Sequence, residues 1–195
     1  MREEDRVAFH ERFADALMYA ADLHRGQVRK GTDIPYLSHL LSVSALVLEH
    51  GGDADEAIAG LLHDAVEDQG GETTRREIER RFGPRVAQIV AACSDTEAIP
   101  KPPWRERKEA YIRHLYEAPP SVLLVSCADK LHNARAILND YRQLGDDLWC
   151  RFSAEKNGVL WYYQALAAAF LVLYPGALAT ELDRVVTEMV TTASD

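Results

Sequence analysis

The sequence predicts an all-α protein, and three observations carry that prediction. Apolar residues recur at three- and four-residue spacing almost throughout, as in Val7, Phe9, Phe13, Ala16, Leu17, Ala20 and Leu23. Alternating, strand-like runs are nearly absent, and "SVLLVSCA" is the one β-ambiguous segment. Glycine and proline stand at the ends of the periodic segments, where helices stop and start.

The elements follow in order. A long amphipathic helix occupies the N-terminal stretch to Leu23, and a polar loop, "HRGQVRKGTDIP", comes next. Residues 37–49 read as a helix that ends at Gly51-Gly52. Residues 54–68 read as another that stops before Gly70-Gly71. Thr74-Arg75-Arg76-Glu77 has the form of a capping box for a short helix to Phe82. Pro84, Pro120 and Pro175 each precede a helical pattern and suit a first-turn position. Residues 96–104 are the least regular stretch and read as an ordered loop. Further helices are expected over 105–117, 121–141, 154–173 and 177–191. With no repeat, low-complexity tract or linker in sight, residues 1–195 are expected to form a single domain of about eight to ten helices.

Composition narrows the function classes. Apolar residues at 47% and charged residues at 27% are those of an ordinary globular protein. A formal charge of −9 argues against a general nucleic-acid binder. It does not argue against a small anionic substrate, because a metal or a basic loop can invert the field at one site. Cys93, Cys127 and Cys150 form no CxxC pair and are odd in number, which fits a reducing compartment. The N-terminus lacks the apolar stretch of a signal peptide, and the most apolar run, residues 165–174, is too short to span a bilayer. A cytoplasmic protein without a membrane partner is the expectation; oligomeric state is not readable.

"GLLHDAVEDQGG" is the stretch that asks for an explanation. On a wheel of 100° per residue, His63, Asp64, Glu67 and Asp68 fall within an arc of about 140°, opposite Ile58, Leu61, Leu62, Ala65 and Val66. Acids at a helix C-terminus oppose the macrodipole, and a bound cation would offset that cost. A solvated helix face is the alternative. In "SVLLVSCADKLHNARAIL", Asp129 and Asn133 lie one turn apart among apolar neighbours. A carboxylate so placed must be protonated, bound to metal or paired, for instance with Arg135. His39, in "PYLSHLLSV", would alone be read as a packing or surface histidine, as are His10, His50, His114 and His132.

The order His39, His63-Asp64, Asp129 resembles the metal-binding signature of the HD phosphohydrolase superfamily. That resemblance implies one divalent metal held by His39, His63, Asp64 and Asp129. Two imidazoles and two carboxylates suit Mn²⁺, Fe²⁺ or Zn²⁺ better than Ca²⁺, and Mn²⁺ is the expected ion. "RKGTDIPYLSHLLSV", "AGLLHDAVEDQ", "IPKPPWRERK" and "CADKLHNAR" further resemble, in order, the hydrolase domain of RelA/SpoT-type enzymes. They are most similar to the stand-alone small alarmone hydrolases, over roughly residues 10–170.

The resemblance implies that Glu67 and Asp68 are catalytic and that Arg29, Lys30, Lys101 and Asn133 bind the substrate. It also implies hydrolysis of the 3′-pyrophosphate of (p)ppGpp or (p)ppApp, with release of pyrophosphate. Gln69 departs from the family, where Thr is usual, as does Ala136, and the choice of base stays open. Other HD phosphohydrolases, acting as a 5′-nucleotidase or a deoxynucleotide triphosphohydrolase, would share the four ligands without requiring Glu67-Asp68 and Arg29-Lys30. A non-catalytic nucleotide sensor would need no acid–base pair.

Overall fold

A computed structural model of the protein describes residues 3–94 and 102–194. Among the described residues there are ten α-helices, one 3-10 helix and no strand, the one β feature being an isolated bridge between Val28 and Pro35. The all-α expectation holds. The chain divides into two compact units, residues 1–97 and 98–195.

The first unit contains α1 (Glu3–Leu23), α2 (Leu37–Glu49), α3 (Ala54–Leu62), α4 (Ala65–Asp68), α5 (Gly71–Phe82) and α6 (Pro84–Cys93). Its core takes Ala16 and Ala20 from α1, Leu40, Val43 and Val47 from α2, and Ile58, Leu61 and Leu62 from α3. Ile78, Val86 and Val90 complete it from α5 and α6.

The approach of α2 to α3 positions the site. It is close because residue 60 has no side chain: a Cβ there would meet the Ser44 Cα at 3.1 Å. The Ser44 hydroxyl donates to the Ala57 carbonyl at 2.8 Å across the same contact. A capping box starts α3, with Asp53 accepting from the Asp55 and Glu56 amides and Glu56 accepting from the Asp53 amide at 2.8 Å.

Two expectations are corrected here. The helix over 54–68 is broken at His63–Asp64, so the acids occupy a separate single turn rather than the end of a long helix. The break coincides with the His63 ring turning back onto the Gly60 carbonyl. The capping box at Thr74 does not form: α5 starts at Gly71, and the Thr74 hydroxyl donates to the Gln69 carbonyl at 2.6 Å. Gly70 makes that start possible with φ of 121°, a value L side chains rarely adopt.

The second unit contains α7 (Trp104–Leu115), α8 (Pro120–Leu144), the 3-10 helix (Gly145–Arg151), α9 (Glu155–Leu173) and α10 (Ala177–Ser194). Helix α8 packs on α9 and α10, burying Leu124, Leu131 and Leu138 with Leu166, Phe170, Leu178, Leu182 and Met189. "SVLLVSCA" is helical. Val122, Leu123, Leu124, Val125 and Cys127 are all buried, so that stretch loses the one-sided periodicity of a surface helix. No helix among the described residues is long and apolar enough to cross a membrane.

A candidate metal centre and its acids

Three ligand atoms converge within the first unit. His39, in the first turn of α2, and His63, at the C-cap of α3, face each other with Nε2 atoms 3.3 Å apart. The Asp64 Oδ2 lies 3.0 Å from the His63 Nε2 and 3.7 Å from the His39 Nε2. Around one cation with bonds of about 2.1 Å, neighbouring donors lie roughly 3.0 Å apart at right angles and roughly 3.4 Å apart in a tetrahedron. Two sides of the triangle, 3.0 and 3.3 Å, have those dimensions and the third, at 3.7 Å, is somewhat longer, so these residues could hold a divalent metal.

The protonation of the ring nitrogens agrees with that use. The His63 Nδ1 lies 2.9 Å from the Gly60 carbonyl, which can only accept, so Nδ1 carries a proton and Nε2 is the ring nitrogen that faces the triangle. Both rings are buried. The third donor is oriented from outside: the Tyr36 hydroxyl donates to the Asp64 Oδ2 at 2.5 Å. Such partners hold a metal-binding carboxylate in one rotamer. Tyr36 also stands edge-on to the His39 ring at 5.3 Å between centroids.

Glu67 and Asp68 sit on the turn that follows. The Asp68 Oδ2 accepts from the Gln27 side-chain amide at 2.9 Å. Asp68 keeps an exposed edge, yet its partial burial pushes its pKa above the ordinary carboxylate range. Asp64 and Glu67 push in the same direction, whereas the Gln27 hydrogen bond and His24 pull against it. Arg29 and Lys30 belong to the loop that the Val28–Pro35 bridge closes, with the Arg29 amide donating to the Ile34 carbonyl at 2.8 Å.

In the second unit, Asp129 is buried on α8 and both carboxylate oxygens are engaged. Asn133, one turn on, donates to Oδ1 at 2.5 Å, and the Lys130 ammonium meets Oδ2 at 2.6 Å. Burial works against the Lys130 charge, but Asp129 together with Tyr111 and Tyr162 outweighs it and its pKa is raised. Arg135 pairs with Glu181 instead. Lys101 lies outside the described residues. Reading the sequence missed Tyr36, Gln27 and His24, and noted Gln69 without its contact to Gln27. Of these, Tyr36 was the most accessible, because it precedes His39 by three residues, the spacing that brings side chains together at a helix start.

Comparison with known proteins gives concordant findings. The family model described as HD domain matches residues 16–160. The guanosine-3′,5′-bis(diphosphate) 3′-pyrophosphohydrolase MESH1 of Xenopus tropicalis is 40% identical over 124 residues, 62% of this chain and 66% of that protein. The bifunctional (p)ppGpp synthase/hydrolase SpoT of Escherichia coli K12 is 31% identical over 140 residues, 69% of this chain and 19% of that one. The chain thus spans about two thirds of the length of its MESH1 relatives, at 66%.

Among solved structures, a metazoan ortholog of SpoT that hydrolyses ppGpp matches with a TM-score of 0.75, covering 91% of this chain and 94% of that one at 24% identity. That likeness is one of fold. A protein of Listeria monocytogenes EGD-e matches with a TM-score of 0.68, covering 81% of this chain and 99% of that one at 30% identity.

Proposed function

Because the chain belongs to the HD-domain family, we propose that it is a metal-dependent hydrolase that removes the 3′-pyrophosphate of an alarmone nucleotide, (p)ppGpp or (p)ppApp. The observation that carries this reading is the His39–His63–Asp64 triangle with Glu67 and Asp68 on the turn that follows it. The named activities of the MESH1 and SpoT relatives supply the substrate class. Residues 1–195 act as one hydrolase domain in this reading, since the family match runs across both units and includes Asp129 and Asn133.

His39, His63, Asp64 and Asp129 hold the cation, with Mn²⁺ the expected ion and Fe²⁺ or Zn²⁺ also suited to the donor set. When bound, a divalent cation polarises the phosphate and lowers the pKa of water. Glu67 orients the attacking water and takes its proton, and Asp68 assists its delivery to the 3′-oxygen. The 3′-oxygen–phosphorus bond breaks, the water oxygen joins the departing pyrophosphate, and the nucleoside 5′-diphosphate or triphosphate leaves with a 3′-hydroxyl. Arg29, Lys30 and Lys101 neutralise phosphate charge, and the Asn133 amide binds the nucleoside. The protein works in the cytoplasm on a small nucleotide, without nucleic acid or membrane.

The test is product analysis by chromatography and mass spectrometry, with Mn²⁺ and ppGpp, pppGpp, ppApp, NADPH and a panel of deoxynucleoside triphosphates. Pyrophosphate is the expected product, with GDP from ppGpp, GTP from pppGpp or ADP from ppApp. Glu67→Gln should keep its Mn²⁺ and lose about a hundredfold or more of the turnover. Cleavage of 5′-phosphates alone would move the protein to the nucleotidase branch, and an unimpaired Glu67→Gln would refute the acid–base assignment.

A further inference from the structure

We infer that His24, Gln27 and Gln69 form a positioning clamp that holds the Asp68 carboxylate in one orientation. The inference rests on the reading that Asp68 takes part in the reaction.

The hydrogen bonds determine which way the Gln27 amide points. The Asp68 carboxylate can only accept, so Gln27 must turn its NH₂ group toward the Oδ2, 2.9 Å away. That leaves the Gln27 Oε1 for donors, and two reach it: the Gln69 side-chain nitrogen at 2.6 Å and the His24 Nδ1 at 2.7 Å. His24 must therefore carry a proton on Nδ1. Its Nε2 is buried without a hydrogen-bond partner. A phenylalanine would fill the same space without burying an unsatisfied nitrogen. The histidine is explained by what Nδ1–H does to Gln27.

The backbone keeps Gln27 in place. Its amide donates to the His24 carbonyl and its carbonyl accepts from the Tyr36 amide, each at 2.9 Å. The His24 ring stacks on Tyr36 at 5.4 Å between centroids, with an interplanar angle of 25°. One loop thus holds Tyr36 on Asp64 and Gln27 on Asp68, and keeps the two carboxylates in register.

Gln69 completes the arrangement. Its amide nitrogen supplies the second donor to Gln27. A threonine hydroxyl is shorter and would leave that oxygen with His24 alone.

The test compares the parent, Gln27→Leu and Gln69→Thr with Mn²⁺ and ppGpp, alongside spectra of the ¹⁵N-labelled side-chain amides. Gln27→Leu should lower kcat about tenfold with KM and bound Mn²⁺ unchanged, and Gln69→Thr should fall between it and the parent. A parent that turns over ppGpp and a Gln27→Leu variant with the same kcat would overturn the clamp and leave the hydrolase reading intact. A parent inactive on every nucleotide would overturn the hydrolase reading, and the clamp is then decided by the Gln27 NH₂ signals. They should move in both Asp68→Asn and Gln69→Thr; signals that stay still in both variants overturn the clamp.

Discussion

Tyr36→Phe tests the metal centre with the smallest possible change. It deletes one hydroxyl and keeps the ring that stacks on His24 and meets the edge of His39. The lost contact is a 2.5 Å hydrogen bond to a carboxylate. Bonds to charged groups contribute about 1.5–3 kcal/mol. Asp64 is 23% exposed, so water replaces part of the bond and about 1–2 kcal/mol is the expected loss of stability without metal. For a chain of this size that lowers Tm by roughly 2–8 °C in EDTA. The freed carboxylate must be reordered when a cation binds, and the Kd for Mn²⁺ should rise about tenfold. Thermal unfolding in EDTA and titration calorimetry with Mn²⁺ measure the two effects separately. A variant that melts earlier yet binds Mn²⁺ as tightly as the parent would show that Tyr36 supports the fold without orienting Asp64. A parent that binds no divalent metal would remove the centre altogether.

Three further outcomes are expected. Gly60→Ala should destabilise by about 1–3 kcal/mol in urea denaturation, because its Cβ would press on the Ser44 backbone; a stabilised variant, as helix propensity alone predicts, would show that α2 and α3 are not in tight contact. Burial pushes the Cys127 thiol up to about 12 whereas Cys150 is exposed, so a disulfide reagent should label Cys150 in the native protein and Cys127 only after unfolding. Rapid native labelling that survives Cys150→Ser and maps to Cys127 would contradict this. Asp68→Asn should raise the Tm of the metal-free protein at neutral pH. The folded-state pKa of Asp68 is raised, chiefly by burial, so its carboxyl favours folding when protonated and loses that contribution as pH rises through its folded value. The gain in Tm should shrink as pH falls into the ordinary carboxylate range, and a gain independent of pH would rule out the charge as its source.

Part of the centre was legible in the sequence because its elements are local. His63, Asp64, Glu67 and Asp68 lie within six residues, and their clustering against an apolar face is a periodic signal. The order in which His39 and Asp129 accompany them is a motif that can be read without coordinates. The long-range contacts have no such signature. His39 meets His63 across 24 residues, Tyr36 meets Asp64 across 28 and Gln27 meets Asp68 across 41.

The sequence by itself determined the helical class, because one-sided burial writes a 3.6-residue period into the chain. It also placed most helix ends, because glycine and proline limit the backbone wherever they stand. Only the tertiary structure decided that the helix over 54–68 breaks at His63, and that α8, expected over 121–141, runs on to Leu144. It alone decided which polar side chain answers which carboxylate. A hydrogen bond depends on a distance of about 3 Å between atoms, and residues far apart in the chain acquire that distance only when helices pack.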